Sequence, residues 1–109
     1  MPKKILELCL SPDLGGLELS VVECFDCFKT LTPTYICVAP HTKLDARVED
    51  EQKFLLKRSK LFPFLPAFKL ARFIDEKEID IIHFHWSKDI ATAVFAKVLS
   101  KRSPKIVQS

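Results

Sequence analysis

Glycine is nearly missing from this chain: two residues in 109, adjacent at Gly15 and Gly16. That scarcity rules out the G-x-G-x-x-G dinucleotide fingerprint and the Walker A loop, each of which needs glycines at several spaced positions. Long apolar runs are missing too. Nothing approaches the roughly 20 apolar residues of a membrane-spanning helix. The early run Ile5–Leu10 is interrupted by Glu7 and is too short for a signal-peptide core, so no secreted context supports a disulfide framework. No nucleophile elbow occurs, and no pair of carboxylates stands at a convincing catalytic spacing. Charge of one sign is not in large excess. Seventeen basic and fourteen acidic side chains leave a net charge of +3, too little to argue for nucleic acid. Internal repeats and low-complexity tracts are absent.

What is present is the composition of one soluble globular domain, 48% apolar and 28% charged. Aromatic and branched aliphatic residues are too plentiful for disorder. The four cysteines are Cys9, Cys24, Cys27 and Cys37. The first and last lie in strand-like apolar runs, while Cys24 and Cys27 share a helix face. Reduced, buried thiols are expected. A zinc site would need a second ligand pair, for which His83 and His85 stand as candidates, and no metal is expected.

The order of elements is alternating. Ile5–Leu10 reads as a buried strand that ends at Ser11-Pro12, and a turn-rich loop runs to Gly15-Gly16. From Leu17 to Thr30 the apolar residues Leu17, Val21, Cys24, Phe25 and Phe28 recur at helical spacing, and Pro33 stops the helix. Tyr35–Ala39 is a second strand. Strand, glycine turn, helix and strand make a βαβ unit, which implies parallel strands. His41–Asp50 reads as a loop running into a short polar helix. Phe54-Leu55-Leu56 either starts a third strand or ends that helix, and Leu61–Pro66 is irregular. Ala67–Lys77 is helical, with Phe68, Ala71 and Ile74 or Phe73 facing inward. Ile79–Trp86 has the near-continuous apolar start of a central parallel strand. Ser87 is a candidate N-cap for a helix over Ile90–Leu99 whose apolar side is Ala91, Val94, Phe95 and Val98. Pro104–Gln108 opens a last strand. The fold class is therefore α/β, a Rossmann-like parallel sheet with helices on both faces, and ligands of such sheets bind at the carboxyl ends of the strands.

Two loops leave those ends with polar chemistry. Gly15 and Gly16 precede a helix start, where free N–H groups and the absence of Cβ atoms favour an anion, although a plain tight turn explains them equally. His83 and His85 are two apart on one strand and point to one face. They suit a sugar hydroxyl, a phosphate or a metal, or else are core histidines bonded to nearby backbone. Ser87 and Asp89 follow, as ligand contacts or helix caps. Lys53–Phe73 interleaves Lys and Arg with five phenylalanines, a pattern for an anionic membrane surface or for a solvated face with its aromatics turned inward.

Lys4-Ile5-Leu6-Glu7-Leu8 through Asp13-Leu14-Gly15-Gly16-Leu17-Glu18 resembles the opening of GT-B glycosyltransferases of the large family typified by bacterial lipopolysaccharide and mannosyl transferases. Ile79-Asp80-Ile81-Ile82-His83-Phe84-His85-Trp86-Ser87-Lys88-Asp89 resembles that family's "proline-aspartate, two aliphatics, histidine, x, histidine" strand, with Ile79 in the place of the proline. The resemblance spans nearly the whole chain, more thinly between Thr42 and Lys77. It implies an N-terminal, acceptor-side domain over residues 1–109, truncated, with the donor-binding domain absent. The implied reaction is sugar transfer from a nucleotide-sugar to a cell-envelope polysaccharide or lipid acceptor, with retention. The nucleotide-sugar is a co-substrate, and no cofactor or metal is implied. Gly15 and Gly16 would lie against the donor phosphates. His85, Ser87 and Asp89 would lie at or support the acceptor side of the cleft, with His83 structural. The family's active-site histidine falls beyond Ser109, so the catalytic residue is unknown and the fragment alone is expected to be inactive. The expected location is cytoplasmic, peripheral at the membrane's inner face through Lys53–Phe73, with no nucleic-acid partner. The competing expectation is a non-catalytic α/β binding module. A nucleotide-cofactor oxidoreductase fragment is weaker, for want of the glycine fingerprint.

Overall fold

In the computed structural model, residues 3–11, 16–48, 51–57 and 64–108 are described. Five strands form one sheet: β1 (Ile5–Cys9), β2 (Thr34–Val38), β3 (Lys53–Leu55), β4 (Ile81–Phe84) and β5 (Lys105–Gln108). Their spatial order is β3-β2-β1-β4-β5, and every pairing is parallel. Four helices connect them: α1 (Gly16–Phe28), α2 (Lys43–Arg47), α3 (Phe64–Lys77) and α4 (Ile90–Leu99). The Phe54 segment is thus a strand, one residue shorter at its end than the run suggests.

Side-chain alternation along the strands divides the core into two layers. Leu6, Leu8, Cys37, Ile82 and Phe84 point to one face and pack with Ala67, Leu70 and Ile74 of α3 and Ala93 and Ala96 of α4. Cys9, Ile36 and Val38 point to the other and pack with Val21 and Phe25 of α1, Leu44 of α2, and Val48. The chain winds outward from β1 to β3 with α1 and α2 on one face. It then crosses back with α3 and α4 on the opposite face. The molecule is a Rossmann-like α/β fold whose topological switch lies between β1 and β4.

Local chemistry sets the ends of the elements. Thr42 caps α2 by accepting the Asp45 N–H at 3.1 Å. Pro66 lies in the first turn of α3, where a missing N–H costs nothing, so that helix begins earlier than Ala67. At the other end of α3, Glu78 takes a left-handed conformation (φ 56°), and the Ile79 N–H reaches the Ile74 carbonyl at 2.9 Å. This is a Schellman closure, with the buried pair Ile74 and Ile79 as its apolar clasp. It turns the chain directly into β4.

Three expectations need correction. Ser87 is not a cap: Ser87–Asp89 is a turn of 3-10 helix, and the residue before α4 is Asp89, with no side-chain cap bond. Phe68 is exposed. The inward side of α4 is Thr92, Ala93 and Ala96, while Val94, Phe95 and Val98 face outward, Val98 at 74% exposure. Small residues at 93 and 96, in the same buried layer as Ala67, let α3 and α4 approach closely. A reading that sends the largest apolar residues inward selects the wrong side.

Asp80 joins three segments before β4. It accepts the Lys4 N–H at 3.0 Å and the Arg102 guanidinium at 2.7 Å. The Lys4 bond, with Arg102 and the Lys3 charge adding to it, holds its carboxyl below the usual 3.8. Asp75, bonded by Ser100 Oγ at 2.7 Å, and Asp45, bonded by Lys53 Nζ at 2.6 Å, are lowered likewise. A folded-state value below the unfolded one means stability that is present above the unfolded value and lost as pH falls through the folded one. Urea midpoints should therefore be flat above pH 5 or so and fall steeply in the acid range, and Asp80→Asn should flatten that fall. Equal acid sensitivity in parent and variant would remove Asp80 from the account.

Candidate functional site

A carboxylate in the centre of a parallel sheet is costly unless it is paired. Glu7 occupies the middle of β1 with 0% exposure. Its register partner on β4 is His83, and His85 follows two residues later on the same face. Both imidazoles meet the carboxylate: His83 Nδ1 lies 3.1 Å from Oε1, and His85 Nε2 lies 2.6 Å from Oε2. The rings lie 4.3 Å apart, tilted by 48°. The edge of the Phe28 ring covers His83 from α1 at 6.4 Å. The remaining nitrogen of His85, Nδ1, is buried with no hydrogen-bond partner among the described residues.

Helix α1 closes this group from above. Cys24 lies on its sheet-facing side, half-buried, and its donor atom and those of His83 and His85 all lie within 4.8 Å of one another. Burial pushes the Cys24 thiol up, and the Glu7 charge adds to the effect. Cys37, fully buried on the opposite face, is pushed up further by burial. Cys27 is exposed, so the expectation of buried thiols fails there, and no disulfide joins any of the four cysteines.

The strand ends at the switch point are joined by a second buried carboxylate. Asp89, at 0% exposure, accepts the Leu10 N–H at 2.9 Å, while the His85 N–H reaches the Leu8 carbonyl at 3.3 Å. These bonds fix the chain leaving β1 against the chain leaving β4. Trp86 packs against both core layers at this end of the sheet.

The site residues named from the sequence therefore separate. His85 and Asp89 are buried and brace the floor of the switch point, whereas Ser87 is exposed at its rim. Gly16 begins α1, and no described glycine has a positive φ, so a left-handed backbone does not explain Gly16. Gly15 lies outside the described residues. Glu7 was missed as a functional candidate. Its signal was available: a charged residue in an otherwise apolar strand demands a partner, and two histidines with strand spacing provide one.

Within Lys53–Phe73, the inward reading holds for several residues. Lys53 Nζ is bound by Asp45 Oδ1 at 2.6 Å and by the Val48 carbonyl at 2.8 Å. Phe73 stacks on Phe54 at 4.4 Å and meets Tyr35 edge-on at 5.5 Å. Leu65, Phe68, Lys69 and Arg72 face outward on α3. Arg58, Lys60 and Phe62 lie outside the described residues. Among the described residues no helix is long and apolar enough to cross a membrane.

No protein-family model matches the chain, and no curated protein matches it. Among solved structures it is similar to a glycosyltransferase from Rickettsia africae ESF-5, with a TM-score of 0.76 and 17% identity. The match covers 97% of this chain and 29% of that one, so the chain spans less than a third of the neighbour's length. At that identity the likeness establishes a shared fold.

Proposed function

We propose that this chain is the acceptor-side domain of a GT-B-type, retaining glycosyltransferase that uses a nucleotide-sugar and modifies a cell-envelope polysaccharide or lipid. The observation that carries the reading is the match over 97% of the chain to a glycosyltransferase. The strand order supports it, because its switch point falls between β1 and β4, and such sheets hold ligands at the carboxyl ends of the strands there.

In this reading the donor diphosphate lies against Gly15, Gly16 and the N-terminus of α1, where unpaired N–H groups and the helix dipole favour negative charge. The acceptor approaches past Ser87, over a floor braced by Asp89 and His85. No metal is required at the phosphates, since the helix terminus supplies the compensating charge. Leu65, Phe68, Lys69 and Arg72 form a basic and apolar face on α3 that suits peripheral contact with an anionic cytoplasmic membrane surface.

The burial of His85 and Asp89 favours a second reading, a non-catalytic α/β binding module. Amide-resolved NMR titration separates the two. With UDP- and GDP-hexoses, shifts are expected at the Gly15–Glu18 amides and at Ser87, and Gly16→Val should remove the first set. Shifts scattered elsewhere, or none at millimolar ligand, would sink the donor-loop assignment and leave the binding module.

A further inference from the structure

The group formed by Glu7, Cys24, His83 and His85 offers more chemistry than donor and acceptor binding would use, and its capacity as a ligand set is independent of the transferase reading. Three potential metal ligands come from two elements that the fold presses together: Cys24 from α1, and His83 and His85 from β4 and the residue just past it. Two imidazoles and one thiol are the donor types of borderline-soft divalent ions, zinc above all. Glu7 holds one nitrogen of each imidazole, Nδ1 of His83 and Nε2 of His85. That leaves Nε2 of His83 and Nδ1 of His85 for another partner, and the second of these is buried without one among the described residues. A carboxylate behind a metal-binding histidine fixes its ring and raises its basicity. Here one carboxylate does so for two rings.

We propose that Cys24, His83 and His85 bind a single zinc-type divalent cation, with Glu7 as the positioning carboxylate behind both histidines. Zinc bonds of about 2.0–2.1 Å to nitrogen and about 2.3 Å to sulfur place tetrahedral ligands about 3.3–3.7 Å apart. Sγ of Cys24 and one nitrogen of each histidine lie within 4.8 Å of one another, about 1 Å beyond that spacing, and binding draws them together. Binding deprotonates Cys24, and the proton passes to solvent through the half-exposed thiol. Water fills the fourth position, because Cys24 and His83 are both partly open. The ion clamps α1 to β4 across the face that Glu7 occupies.

The test is a titration of the metal-free, reduced chain with Co2+ alone, read by absorption, and then with Zn2+ in competition. One equivalent of Co2+ should give a thiolate-to-cobalt charge-transfer band that Zn2+ abolishes. Cys24→Ser should remove the band with an unchanged circular dichroism spectrum, and Cys27→Ser, three residues along the same helix, should leave it intact. Glu7→Gln should weaken affinity by about 10- to 100-fold. The proposal is overturned if no band appears, if the band survives in Cys24→Ser, or if it depends on Cys27. The cysteine pair decides the question even if the Glu7 variant does not fold. No sugar nucleotide enters the assay, so its failure and that of the transferase reading are separable.

Discussion

Replacing Glu7 with alanine should cost about 3–5 kcal/mol of folding stability, since two buried hydrogen bonds are lost and each buried group left unsatisfied costs about 1–3 kcal/mol. In a domain of this size that is a Tm loss on the order of 12–20 °C. The size of the effect reflects the groups left behind. His83 and His85 would face an empty space at the centre of the sheet, with their bonds at 3.1 and 2.6 Å gone. Water cannot readily replace the carboxylate there, since Glu7 has no solvent exposure. Glu7→Gln keeps an acceptor oxygen and an amide and should cost less, about 1–2 kcal/mol. Thermal melts followed by circular dichroism decide the matter. An alanine variant that melts with the parent would show that the two histidines need no carboxylate, and the account of this layer would fail.

Asp89→Ala is the second large effect, about 2–3 kcal/mol. The variant leaves the buried Leu10 N–H without its 2.9 Å acceptor, and bonds to charged groups are worth about that much. The expected damage is local before it is global. Asp89 is the tie between the chain leaving β1 and the chain leaving β4, 79 residues apart in sequence. Its loss should raise hydrogen exchange at the Leu10 amide by about 30- to 150-fold at fixed pH. Exchange at amides remote from Asp89 should change only by the global loss. Asp89→Asn keeps the acceptor and should restore most of the protection at Leu10. If alanine and asparagine accelerate Leu10 exchange equally, the side-chain bond does not hold this end of the sheet.

The strands themselves are legible in the sequence because they are short apolar runs with prolines or turn residues after them. Ser11-Pro12 and Pro40 mark two such ends, and β1, β4 and β5 fall within the runs expected for them, while β2 begins one residue before its run, at Thr34. The α4 face was not legible in the same way. Helical spacing shows that Val94 and Val98 share a side, but spacing cannot say which side meets the neighbour. Close helix packing chose Ala93 and Ala96 over the larger residues. The site divides along a similar line. That His83 and His85 face one way is a matter of strand geometry alone. That Glu7 lies between them depends on β1 pairing with β4 in one register, a long-range fact that no local pattern contains. The approach of Cys24 depends in turn on the rotation of α1 about its own axis, which Val21 and Phe25 fix by filling the layer beside it.

The central position of β1 also has a consequence in time. Strand β1 acquires a neighbour at β2 soon after it is made, but the partners of Glu7 come 76 and 78 residues later. At ordinary elongation rates of about 5–20 residues per second, the carboxylate waits about 4–15 s before the histidines exist. Until then the nascent chain carries a charged group on a half-built sheet and cannot bury it. The native order of strands therefore holds the early βαβ unit open during synthesis, and the fold closes only when β4 arrives.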